Sequence, residues 1–153
     1  MQPWLPSVTA IWSSTERKAL DTAEILAGHL GLDVQIRADL GENDRSSTGY
    51  LPRAEFEGTA DAFFADPDRS VRGWASAREE QRRIVSACED AGRTEEKGTP
   101  LIVSHGAVGA LLLAHVLGLP VSRDLDQPGN GGGNWFCTRD LSPSWRPFDE
   151  ASV

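Results

Sequence analysis

Apolar positions along this chain follow two rhythms, short β-branched runs and longer stretches at helical spacing. Val8-Thr9-Ala10-Ile11-Trp12 lies between Pro6 and the pair Ser13-Ser14 and predicts a short buried strand. Ala19, Ala23, Leu26 and Leu30 then recur at helical spacing until Gly31, and Ser13 and Glu16 stand at the distance of a capping box. Asp33-Val34-Gln35-Ile36-Arg37 alternates and predicts a second strand. The resulting strand–helix–strand unit is the building block of a parallel sheet with a right-handed crossover.

Between Ser46 and Gly73 the rhythm loosens. Pro52 starts a short helix with Phe56, Ala60 and Phe63 on one face, and Asp66-Pro67-Asp68 ends it. Residues 46–73 therefore read as a helical insertion over the sheet, with Phe64 and Trp74 as core contacts, in a position that can also line a pocket. Ser76 caps a long helix that turns Ala77, Ile84, Cys88 and Ala91 inward. Its charged residues, Arg78, Glu79, Glu80, Arg82 and Arg83, form a solvated face, and Gly92 ends it. Pro100 leads into the apolar strand Leu101-Ile102-Val103, and a helix follows directly to Leu117-Gly118. The glycine-rich stretch from Pro128 to Asn134 lacks Gly-x-Gly-x-x-Gly spacing ahead of a helix and reads as a flexible loop. Trp135 to Arg139 predicts a final sheet strand. The tail carries Trp145, Pro147 and Phe148, which either pack down or pair with another chain. The whole predicts an α/β fold, a mainly parallel sheet sandwiched by helices, in one domain over residues 1–153.

Composition narrows the class without naming an activity. With 25% charged and 39% apolar residues the chain has the balance of a globular protein, and 153 residues suffice for a sizeable core. The apolar run from Ala107 to Leu119 is interrupted by His115 and falls short of the roughly 20 residues that span a bilayer. The start, Met1-Gln2-Pro3-Trp4-Leu5-Pro6, lacks the basic and apolar regions of a leader, so a cytoplasmic protein is expected, with no membrane partner. A net charge of −8 repels polyanions and argues against nucleic acid. Cys88 and Cys137 lie far apart, with no metal-ligand spacing; no metal and no cofactor are expected, and Cys88 reads as a small core residue.

The chemistry concentrates where the strand Leu101-Ile102-Val103 meets Ser104-His105-Gly106. A buried strand ending in Ser-His-Gly puts an imidazole at the carboxyl edge of the sheet, where open α/β folds bind ligands. The N–H groups of the next helix point to the same place and favour an anion, so the stretch reads as a phosphate or carboxylate site. A histidine that caps the helix or fills space is the plain alternative. Arg17, in the first turn after the first strand, would bring a guanidinium to that edge; most arginines so placed are merely solvated. Glu42, in the loop after the second strand, could act as a general acid, or be one more acidic loop residue.

Together these residues form a recognisable pattern. Ser13-Ser14-Thr15-Glu16-Arg17-Lys18-Ala19-Leu20-Asp21-Thr22-Ala23 resembles the Ser-Ser-x-x-x-Arg-x-x-x-Thr-Ala element of the histidine phosphatase superfamily, the phosphoglycerate mutase-like proteins. Leu40-Gly41-Glu42 resembles the family's Leu-x-Glu, and Val103-Ser104-His105-Gly106 its second histidine motif. The resemblance implies a two-step phosphoryl transfer in which a histidine attacks phosphorus and a carboxylic acid protonates the leaving oxygen. Glu42 would then be the proton donor and His105 would stabilise charge on the transferring group. Arg17, Ser14 and Gly106, with His105, would bind the phosphate of a phosphorylated small molecule, without a metal.

One part of the pattern has no counterpart. In this family the nucleophile is the histidine of an Arg-His-Gly motif on an earlier strand, and the seven residues before Val8 hold neither histidine nor arginine. His29 and His115 fall inside helices and His105 already fills the second-histidine position. The 153-residue chain is therefore expected to be an inactive, N-terminally truncated member, with a true phosphate-binding pseudoenzyme and completion by a second chain as the alternatives. Loss of an interior strand exposes unpaired edges and predicts a homodimer.

Overall fold

The computed structural model describes residues 2–95, 97–129 and 131–149. Its centre is a parallel three-stranded sheet, β2–β1–β3, formed by β1 (Ala10–Ser13), β2 (Val34–Ile36) and β3 (Pro100–Val103). Ile11 lies opposite Val34 on one side and Leu101 on the other, and Ser13 lies opposite Ile36 and Val103. All three strands thus end together at Ser13, Ile36 and Val103, and the loops that leave them share one edge.

The pleat of β1 divides the core. Ile11 faces α1 (Arg17–Leu30), packing with Val8, Ala23 and Ala27, while Ala10 and Trp12 face the opposite layer. That layer consists of α2 (Arg53–Ala65), α3 (Ala77–Thr94) and α4 (Gly106–Leu117), which bring Phe63, Phe64, Ile84, Val108 and Leu111 together. The fold is accordingly α/β, a parallel sheet with helices on both faces, in line with the rhythm of the sequence. Trp74 is buried edge-on against Phe63, as the pattern between Ser46 and Gly73 predicts. Each such fully buried side chain contributes about 1.5–3 kcal/mol. Cys88 packs, partly buried, against the same core, where burial pushes its thiol up to about 12.

Helix ends follow local chemistry, with two departures from expectation. Gly31 and Gly118 end α1 and α4 in the left-handed conformation, and Ser76 caps α3 with a full capping box to Glu79. Ser13, however, does not cap α1: it is the last residue of β1, and Glu16 is the N-cap, with its carboxylate turned elsewhere. Nor does Gly92 end α3, which runs on to Thr94, because a lone glycine costs only about 1 kcal/mol and Ala91 still packs inward. The strand expected over Trp135 to Arg139 shrinks to β4 (Asn134–Trp135), which pairs antiparallel with β5 (Arg146–Pro147) in a separate ribbon. Its aromatic side chains pack locally: Trp135 lies tilted against Trp4, and Phe136 meets Trp145 edge to face. The tail thereby packs down, with the Trp145 indole N–H donating to the Leu125 carbonyl. No helix among the described residues is long and apolar enough to cross a membrane.

Candidate active site

Four segments meet at the carboxyl edge of the sheet. β1 delivers Ser13 and Ser14, the start of α1 delivers Glu16, the turn after β2 delivers Glu42, and β3 runs through Ser104 into His105, the N-cap of α4. The Ser104 hydroxyl donates to the Leu40 carbonyl at 2.6 Å, which ties the Glu42 turn to the histidine turn. His105 is sealed in, with its side chain 1% exposed. Its Nε2 lies 2.7 Å from the Ser14 hydroxyl and 3.3 Å from the Glu16 carboxylate, whereas its Nδ1 has no hydrogen-bond partner among the described residues.

Electrostatics at this histidine are finely opposed. Burial holds the imidazole below the ordinary histidine pKa; Glu16 and then Glu42 favour its cation, while Lys18 and Arg45 disfavour it.

Glu42 holds the position expected for an anion. Its carboxylate accepts the backbone N–H groups of Ala107 at 3.2 Å and Val108 at 3.1 Å, in the first turn of α4, and also that of Asn43. The helix amino terminus predicted as a phosphate site is thus filled by the protein's own carboxylate. Arg45 stands 3.6 Å from the same carboxylate, with its guanidinium over the rings of Phe56 and Trp74 and its Nε donating to Asn43. The aromatic faces hold that planar group in place beside the site.

The structure gathers His105, Ser14, Gly106 and Glu42, and leaves Arg17 aside. Arg17 is the first residue of α1, its side chain is 89% exposed, and its guanidinium pairs with Asp21 one turn on. In a Ser-Ser-x-x-x-Arg pattern beginning at Ser13 the basic position falls on residue 18, and Lys18, unlike Arg17, is one of the two cations that act on His105. Counting the motif from Ser13 reveals this; the residue type at position 17 conceals it. Gly106 opens α4 beneath the Gln127 side-chain amide, which a Cβ at this position would meet at 2.5 Å and push aside. Sequence reasoning also missed Glu16 and Arg45. Glu16 was legible only as a helix cap, and Arg45 carried no motif at all. No group of three or more histidine, cysteine or acidic side chains suited to a metal ion occurs among the described residues.

Residues 5–138 match the histidine phosphatase superfamily (branch 1), and the chain belongs to that family. Among curated proteins it is similar to the probable phosphoglycerate mutase GpmB of Salmonella choleraesuis, with 28% identity over 119 residues, 74% of this chain and 55% of that protein. The chain thus spans about half the length of that relative. Among solved structures it is similar to a mycobacterial glucosyl-3-phosphoglycerate phosphatase in complex with VO3, at 26% identity and a TM-score of 0.70, over 93% of this chain and 75% of that one. YhfR of Bacillus stearothermophilus is similar at 25% identity and a TM-score of 0.70, over 95% and 75%. These neighbours share the phosphoglycerate mutase-like α/β fold.

Proposed function

We propose that this chain supplies the second-histidine half of a phosphomonoester hydrolase or mutase site, and that the 153-residue form binds phosphorylated small molecules without turning them over. The observation that carries this reading is the enclosure of His105 between Ser14, Glu16 and the start of α4, with Glu42 across it. In the reaction a histidine nitrogen attacks phosphorus, the bond from phosphorus to the ester oxygen breaks, and Glu42 gives a proton to the departing oxygen. Water then attacks the phosphohistidine, and free phosphate leaves. His105, Lys18 and Arg45 stabilise charge on the transferring group, with the Ser14 hydroxyl and the Gly106 turn shaping its seat; Arg17 is the weaker candidate, since its guanidinium is engaged with Asp21.

The nucleophile is a second histidine. His29 and His115 lie exposed in the last turns of α1 and α4, at the far ends of the helices that begin at the site, and neither serves. Turnover at this site requires such a histidine from another segment or a second chain. The named relatives include a mutase and a phosphatase, and both outcomes start from the same phosphohistidine.

The unpaired outer edge of β3 supports self-association, since β3 pairs only with β1 among the described residues. Hydrolysis of a generic phosphomonoester by this chain, beside a form extended upstream through any in-frame Arg-His-Gly, tests the proposal. Turnover by the extended form alone, abolished by His105→Ala, supports it. Absence of turnover in both forms, with phosphate still raising the melting temperature, favours instead a binding module that never catalyses.

A further inference from the structure

Three backbone carbonyls in the Glu42 turn converge on one guanidinium that no family motif includes. Arg83, in the middle of α3, donates through Nη1 to the carbonyls of Asp39 at 2.7 Å and Gly41 at 2.9 Å, and through Nη2 to that of Glu42 at 3.2 Å. Its Nε and Nη2 also bind the carboxylate of Glu80, three residues earlier on the same helix, the Nε at 3.1 Å. The Glu80 side chain is only 7% exposed. A carboxylate so buried is costly unless it is paired, and the pairing fixes the guanidinium in one orientation.

The clamp acts on the peptide that matters. The N–H of Glu42 is held by the Glu16 carboxylate at 2.9 Å, and its carbonyl by Arg83. With both ends of the residue fixed, the side chain has one short path, across to the N–H groups of Ala107 and Val108 beside His105. We infer that Arg83, oriented by Glu80, is a positioning residue that holds Glu42 at the phosphate site. This rests on the reading of Glu42 as the partner of His105 given above.

Titration of the His105 ring by NMR in the full chain reads the position of Glu42 without requiring turnover or phosphate binding, so failure of the proposed activity leaves the test intact. The charged groups that act on His105 are Glu16, Glu42, Lys18 and Arg45. Removing the Glu42 charge in Glu42→Gln lowers the His105 pKa. Arg83→Gln frees the turn, withdraws the carboxylate and also lowers it, by about half a unit, a roughly threefold change in proton affinity. The sign is diagnostic: loss of a cation acting only through space would raise the pKa. Adding Arg83→Gln to Glu42→Gln gives no further fall, and Arg83→Lys restores part of the wild-type value because an ammonium reaches fewer of the three carbonyls. Should Arg83→Gln fail to fold, Arg83→Lys keeps the charge but reaches fewer carbonyls, so a His105 pKa below the wild-type value in that variant reports the displaced carboxylate and an unchanged one counts against the assignment. A folded variant whose His105 pKa stays unchanged or rises, while Glu42→Gln lowers it, overturns the assignment and leaves Arg83 a purely structural clamp.

Discussion

The Glu42 carboxylate accepts the backbone N–H of Val108 at 3.1 Å, so an acidic side chain of the protein occupies the helix terminus where a phosphate would bind. Under the proposed reading a phosphate at this terminus would compete with the carboxylate for the same N–H groups and turn Glu42 toward the ester oxygen of a bound substrate. Glu42→Gln removes that competing charge. Phosphate affinity, measured by calorimetry, should rise several-fold, while turnover by an active extended form should fall by about 10²–10⁴, the usual worth of a general acid. A loss of phosphate affinity in this variant would show that Glu42 helps to hold the ligand.

Cations at the site divide by geometry. Arg45 lies against Glu42 and two aromatic rings, whereas Arg17 points outward to Asp21. A charge-assisted hydrogen bond contributes about 1.5–3 kcal/mol, so Arg45→Gln should weaken vanadate binding by about tenfold or more. Arg17→Gln should leave it within twofold in the same titration.

Acid sensitivity follows from the buried imidazole. Burial depresses the His105 pKa in the folded state, so the unfolded chain binds the proton more readily. The stability associated with the neutral ring is present above the ordinary histidine value of 6.5 and is lost as pH falls below it toward the folded-state pKa. Urea unfolding at pH 7.5 and 5.5 should show wild-type stability falling across this interval. His105→Asn, which cannot titrate, should show a smaller fall.

Capping at Ser76 offers a test away from the site. Its hydroxyl accepts the Glu79 N–H and the Glu79 carboxylate accepts the Ser76 N–H. Ser76→Ala should cost about 1 kcal/mol in denaturant unfolding, with no change in phosphate affinity.

The open edge of β3 predicts association of two chains, measured as mass by light scattering. A dimer mass at micromolar concentration is expected, and a monomer there contradicts the expectation.

Much of this fold was legible because its signals are local. The run from Val8 to Trp12, the helical spacing from Ala19 to Leu30 and the Ser76 cap each act over a few residues, and each produced the element expected. The site was legible in part. His105, Ser14, Gly106 and Glu42 meet because parallel strands deliver their carboxyl ends to one edge, which topology dictates. Glu16 resembled a capping-box partner, yet its carboxylate reaches across to Glu42, because tertiary hydrogen bonding outweighed a local cap. Arg83 resembled part of a solvated face, and only the folded turn brings three carbonyls to it. Trp135 to Arg139 carried strand propensity, but its aromatic residues found partners in Trp4 and Trp145 instead of a place in the parallel sheet.

Calorimetric titration of the 153-residue chain with inorganic phosphate, in the wild type, His105→Ala and His29→Ala, tests the central claim most directly. Saturable one-site binding in the wild type and in His29→Ala, lost in His105→Ala, is the predicted result. Binding that survives His105→Ala unchanged, or no binding by a folded wild-type chain, would contradict the assignment of the phosphate site to the start of α4.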